Sequence, residues 1–258
     1  MVHQLTPDIL APGDGKSIAL DPATFTWTRI RTVEDPAFER AYSALWAEFG
    51  AANEMESREV LAGRFRTLHY EILLVEKDGL FCAVRDHTAI RSSSEVVVHL
   101  SHVLVAPEQR RSGLAGWLRA APIVAARELS PAPITLVAEM EYDDASDPKR
   151  AIRLAAYERA GYTKLDPTAV SFFQPDFRPP EVIDASGGSV PLPFQLIVRR
   201  VGREDMRTIS GAEVRRLIGA LYAIYGAQFR ESEMRHPLLD MENYPADDAE
   251  VTLVLPSR

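Results

Sequence analysis

The stretch VLVAPEQRRSGLAGWL, residues 103 to 118, carries an apolar run into a turn that crowds two arginines beside a glycine, and a helical pattern follows at once. A strand ending at Val105 and a helix starting near Gly113 leave loop N–H groups pointing outward, and the helix start adds roughly half a positive charge. Together these make an anion site. Gly113 lets a ligand approach the backbone, Ser112 can donate or cap, and Ala115 keeps the first helical turn open to a bulky phosphate. Arg110 and Arg111 supply outer charge. A plain strand-to-helix connection with solvated arginines uses the same residues. A P-loop would need a Lys and a Ser/Thr that this turn lacks, and the full G-x-G-x-x-G fingerprint is absent too.

The elements that must position this turn are legible on either side of it. Residues 1 to 22, rich in Pro, Gly and Asp, read as a loose N-terminal arm. Phe25 and Trp27 alternate with threonines as a strand does, and from Asp35 the spacing of Phe38, Tyr42, Leu45, Trp46 and Phe49 becomes helical, ending at Gly50. A second helix fits 56–65. Three strands follow at 69–77, 80–90 and 95–105, with Asp78-Gly79 as the strongest hairpin signal, so an antiparallel meander is expected. A helix (113–128), a strand (134–141), a helix (148–160) and strands near 170–175 and 194–200 complete a domain spanning 23–201. The pattern predicts an α+β fold, a mixed, mainly antiparallel sheet flanked by helices. In the extension, 202–258, Val214, Leu217, Ile218, Leu221, Tyr222, Ile224 and Tyr225 form one apolar helix face, and VTLVL (251–255) reads as a last strand. That face needs a cover, from its own subunit or from a second copy in a homodimer.

Composition narrows the partners. The 258 residues carry 29 basic and 37 acidic side chains, a net −8, which argues against the basic surface that nucleic acid requires. The single cysteine, Cys82, sits in an apolar run as a small buried thiol. No basic start with an apolar core and no run of eighteen apolar residues is present, so no membrane partner and a cytoplasmic location are expected. No ligand cluster with metal spacing appears, so no metal is expected.

The turn and its surroundings resemble the GNAT superfamily of acyl-CoA-dependent N-acetyltransferases, whose pyrophosphate loop reads [Q/R]-x-x-G-x-[G/A] after a strand. Here the sequence is Arg110-Arg111-Ser112-Gly113-Leu114-Ala115, preceded by Leu104-Val105-Ala106-Pro107. A second block, AIRLAAYERAGY, places Tyr157, Gly161 and Tyr162 where the family has a tyrosine late in a helix, then a glycine and an aromatic residue. The likeness covers 24–200 and departs at Arg150, where many members carry asparagine.

The resemblance implies transfer of an acetyl group from acetyl-CoA, bound by Leu104, Val105, Arg110, Arg111, Ser112, Gly113, Leu114, Ala115 and Arg150, to a primary amine. A small-molecule amine is favoured over a peptide or protein; a non-catalytic acyl-CoA sensor is the alternative. Tyr157 would serve the CoA thiolate as general acid. His99, of a side-chain type suited to general-base work, is the favoured base, placed by strand alternation on the face opposite His102; Glu139 or Glu141 could replace or assist it by holding the substrate ammonium. Acceptor recognition would fall to the segment Glu48 to Glu59 and to the strand pair near 170–200. Glu48, Glu54, Glu56 and Glu59 against Arg58 suggest an acidic vestibule for a cationic amine.

Overall fold

The computed structural model describes residues 5–52, 54–92, 94–142 and 147–257, which form two compact units divided between Ile134 and Thr135. Residues 5–22 belong to the first unit and the extension from 202 to the second.

In the first unit, β1 (Thr26–Ile30), β2 (His69–Lys77), β3 (Leu80–Arg91) and β4 (Val96–Val105) form the expected antiparallel meander. Asp78 and Gly79 close the β2–β3 hairpin at φ 53° and 76°, the left-handed pair that matches strand twist. The strands are apolar on both faces because both are covered. On one face Tyr70, Ile72, Leu74 and Val84 pack with Phe38, Leu45 and Leu61, drawn from two helices at Phe38–Phe49 and Arg58–Thr67. Alternate residues point the other way, where Arg29 binds Glu71 and reaches Glu128 at 2.7 Å in the helix Pro122–Leu129.

One residue of irregularity changes what the strands present. Between Arg85 and His87 the register to β4 shifts, so Val103 lies opposite Arg85 while Leu100, three residues away, lies opposite His87. Strict alternation would set His99 and His102 on opposite faces. The bulge puts both on the face of Val84, Asp86 and Thr88, because an extra residue advances the side-chain phase by one.

The expected loose arm is ordered from residue 5 onward, with residues 1–4 outside the described ones. Leu5, Ile9, Leu10, Ala11 and Ser17 are buried, and a short helix, α1 (Gly15–Ile18), packs on α4 (Leu114–Ala120).

The second unit is a sheet in the order β5 (Ile134–Met140), β8 (Leu192–Arg200), β6 (Thr163–Leu165), β10 (Glu250–Val254), β9 (Thr208–Ser210), with β7 (Phe172–Gln174) also on β8. Each pairing here is antiparallel. The helix α6 (Pro148–Arg159) precedes β6. The tail helix α8 (Gly211–Gly226) starts with a reciprocal capping box of Ser210 and Glu213 and buries Val214, Leu217, Ile218, Leu221, Tyr222, Ile224 and Tyr225. The extension covers itself within its own chain: β10 pairs with β6, and Tyr222 stacks on Phe172 at 5.2 Å. The α+β class, mainly antiparallel and flanked by helices, is the one expected from the sequence.

Candidate functional site

The loop between β4 and α4 has the backbone form of an anion cradle. Arg111 sits at φ 67° and Gly113 at φ 105°, two left-handed residues within three positions. For an arginine that conformation costs on the order of 1–3 kcal/mol and persists only where the surroundings impose it. Among the described residues the amides of Arg111 and Gly113 have no backbone partner, while Ser112 caps Leu114 N at 3.2 Å and donates to Gln109 O at 2.8 Å. Arg110 turns back to Val105 O at 3.4 Å, Arg110 and Arg111 are exposed, and Ala115 is half-buried. Two amides without a backbone partner, two exposed arginines and no acidic side chain between Gln109 and Ala115 suit the loop to an anion. Leu104 lies partly buried against the core of the helical face.

Gly113 proves to be glycine for a second reason. A Cβ there would collide with the carbonyl of Lys16, and one on Gly116 would strike the side chains of Ser17 and Asp14. The close approach is by the chain's own N-terminal segment. Ser17 Oγ lies 2.8 Å from both Gly113 O and Asp14 Oδ1, Arg119 Nη2 binds Asp14 at 3.1 Å, and Trp117 Nε1 donates to Leu20 O at 3.1 Å.

Of the two histidines brought to one face by the bulge, His102 is held by the stronger network. Asp86, fully buried on β3, accepts from Tyr70 Oη at 2.9 Å and from the His102 amide at 2.6 Å, and lies 3.1 Å from His102 Nδ1. His102 Nε2 lies 2.6 Å from Glu54 O. Both ring nitrogens therefore face pure acceptors and both carry protons, the arrangement of an imidazolium. Burial would lower the His102 pKa, but the Asp86 carboxylate, with Glu56 and the Glu54 carbonyl, raises it to about 9. Burial would likewise raise Asp86, yet His102 and Tyr70 hold it well below the usual carboxylate range. His99 is 3% exposed, with Nδ1 3.4 Å from Ser101 Oγ. Glu56, expected in an acidic vestibule, is instead buried in an ion pair with Arg64, whose guanidinium lies over Tyr70.

The second unit holds the other expected residues. Glu139 on β5 is half-buried; its Oε1 accepts from Tyr225 Oη and its Oε2 from Gln174 Nε2, both at 2.7 Å. Tyr225 lies in α8, so the extension reaches a residue singled out for chemistry. Glu141, the alternative to Glu139, bridges Arg150 at 2.8 Å and Arg153 at 2.5 Å. Arg150 also reaches Tyr142 O at 3.5 Å, so this arginine ties α6 to the end of β5. Tyr157 is buried and meets Tyr162 edge-on at 4.9 Å.

Sequence reasoning passed over Asp86, Tyr70, Tyr225, Gln174 and the Asp14–Ser17 segment. One signal was present: Arg-Asp-His inside the apolar strand AVRDHTAI, a charged triplet that burial forces to find partners. Among the described residues no three His, Cys, Asp or Glu side chains are grouped to hold a metal, and no helix is long and apolar enough to cross a membrane.

Solved structures similar to this chain include a GNAT-family acetyltransferase from Bacteroides thetaiotaomicron, at 19% identity and TM-score 0.47 over 68% of this chain and 86% of that one. A GNAT-family acetyltransferase from Desulfovibrio desulfuricans aligns at 16% identity and TM-score 0.43, over 69% of this chain and 99% of that one. Arabidopsis thaliana Naa50, in complex with the bisubstrate analogue CoA-Ac-MVNAL, aligns at 8% identity and TM-score 0.45, over 68% and 98% of the two chains. No family model and no curated protein matches the chain. The chain is similar to these acetyltransferases, and its own residues carry the functional reading that follows.

Proposed function

We propose that the protein is an N-acetyltransferase that moves the acetyl group of acetyl-CoA to the primary amine of a small molecule. The observation that carries this is the Arg110–Ala115 loop, where the amides of left-handed Arg111 and Gly113 have no backbone partner among the described residues and lie beside two exposed arginines. Amides and guanidinium groups of that kind recognise a pyrophosphate.

The remaining roles follow from what the reaction demands. The amine nitrogen must lose a proton before it attacks the thioester carbon, and the C–S bond then breaks to leave a thiolate. His99 or Glu139 takes the proton, and Tyr157 returns one to the sulfur. His102 is unsuited to the base role, because its two acceptor partners keep both of its nitrogens protonated at neutral pH. Glu139 carries a carboxylate, a group that can also hold an ammonium.

Calorimetric titration of acetyl-CoA into wild type and Ala115→Asp tests the loop. A carboxylate at that first helical turn should weaken binding more than tenfold without unfolding the protein. Gly113 is a poor site for the same test, since any side chain there also meets Lys16. Thiol release across a panel of small amines and peptides tests the chemistry. Tyr157→Phe should lower kcat by about 100-fold while leaving acetyl-CoA binding intact. A folded wild type that takes no acetyl-CoA, or that releases thiol only with peptides, would overturn the reading in its first or its second half.

A further inference from the structure

The N-terminal segment Asp14–Leu20 lies against the anion loop, and four contacts fix it there. Ser17, fully buried, places one hydroxyl 2.8 Å from the carbonyl of Gly113 and 2.8 Å from Asp14 Oδ1, so a single proton serves two acceptors. Asp14 is in turn held by Arg119 of α4 at 3.1 Å. Trp117, also in α4 and buried, donates its indole N–H to Leu20 O. The fourth contact is backbone on backbone, the Lys16 carbonyl over the Cα of Gly113.

These contacts bear on Gly113, one of the two left-handed residues that shape the loop. Gly113 has φ 105°, and its carbonyl begins the helix by accepting from Gly116 N at 3.1 Å. A glycine in this region has a broad basin and would wander between conformations if nothing held it. The Ser17 hydroxyl and the Lys16 carbonyl bracket its peptide unit from one side. Asp14 does not spend its carboxylate on capping its own helix, where no side-chain cap bond is made; it braces Ser17 and Arg119 instead. Small residues at 113 and 116 are what allow the segment to come this close.

We infer that Ser17 is a positioning residue for the anion loop, and that the segment Asp14–Leu20 is a working part of the phosphate cradle. It touches no ligand; it acts by holding the Gly113 peptide in the left-handed conformation that gives the loop its form. The inference rests on the proposed use of this loop for the acetyl-CoA pyrophosphate.

The test compares two ligands on the full chain. Acetyl-CoA carries the pyrophosphate and S-acetylpantetheine lacks it, and both are titrated into wild type and Ser17→Ala. The expected result is a rise of about tenfold in the Kd of acetyl-CoA with the Kd of S-acetylpantetheine unchanged within twofold, and a smaller rise for the isosteric Asp14→Asn. Unchanged binding of acetyl-CoA in Ser17→Ala, or an equal loss for both ligands, would overturn the inference, the second because it marks general loosening. Amide NMR of the ligand-free protein gives a separate readout: Ser17→Ala should shift the Gly113 and Leu114 amides and speed their hydrogen exchange. A wild type that fails to bind acetyl-CoA would defeat the loop reading, while unmoved Gly113 and Leu114 amides would defeat the tether by itself.

Discussion

At the scale of single residues, the decisive chemistry lies in the His102–Asp86–Tyr70 network. The His102 pKa of about 9 stands above the ordinary unfolded value of 6.5, so the folded state binds this proton more tightly. The stability it lends is therefore fully present below pH 6.5 and is lost as the pH rises through about 9. At 1.36 kcal/mol per unit the loss is on the order of 3 kcal/mol. Urea unfolding between pH 6 and 9.5 should show that decline. Asp86→Asn should be less stable at pH 6 and should flatten the slope, because no carboxylate is left to favour the charged ring; an unchanged slope would place the titrating group elsewhere. Asp86 acts at the acid end: its depressed pKa contributes stability above about pH 4 that falls away as the pH drops below it. The buried Glu56, paired with Arg64, pushes the His102 pKa the same way as Asp86, and the Asp86 carboxylate is the larger of the two causes.

At the scale of elements, the meander was legible from its apolar, β-branched runs and the Asp78-Gly79 turn, and the helices at 38–49 and 148–159 and the tail helix from spacing near 3.6. The short strands β6 and β9 were not, since three residues show no period and owe their existence to the neighbours they pair with. The bulge in β4 was equally silent, and it is what brought His99 and His102, expected on opposite faces, to one face. The N-terminal arm misled for a related reason: Pro, Gly and Asp at 12–15 read as disorder, while the information that orders them lies about a hundred residues away in Gly113, Gly116 and Arg119. That contact yields a prediction whose sign separates local from tertiary control. Helix propensity alone would make Gly116→Ala stabilising by about 1 kcal/mol. Collision with Ser17 and Asp14 should make it destabilising by about 1–3 kcal/mol, read as a lower midpoint in urea. The extension has its own test. Removing 202–258 strips β10 from β6 and Tyr222 from Phe172, so the truncated chain should aggregate or lose cooperative unfolding, and a soluble, cooperatively folding truncation would mean the extension is a separate module.

At the scale of the whole molecule, the net charge of −8 acts on the two proposed substrates with opposite sign. A cationic amine is drawn toward an acidic protein over distances beyond contact, and added salt screens that attraction once the Debye length falls below about 10 Å. The KM for a cationic amine should therefore rise severalfold between 50 and 300 mM salt on an order-of-magnitude scale, while an uncharged amine of similar size should change little. Acetyl-CoA, a polyanion, is repelled by the molecule as a whole and attracted by Arg110 and Arg111 at the loop. Contact pairs lie within a Debye length and feel screening less per pair, yet they dominate the binding energy. Acetyl-CoA affinity should then weaken with salt in the wild type. In an Arg110→Ala, Arg111→Ala double variant the local attraction is gone and only the global repulsion remains to be screened, so the dependence should flatten or reverse. Calorimetry of the two proteins at two salt concentrations decides it: parallel salt slopes would mean the arginines are solvated bystanders, and the cradle would rest on its backbone amides alone.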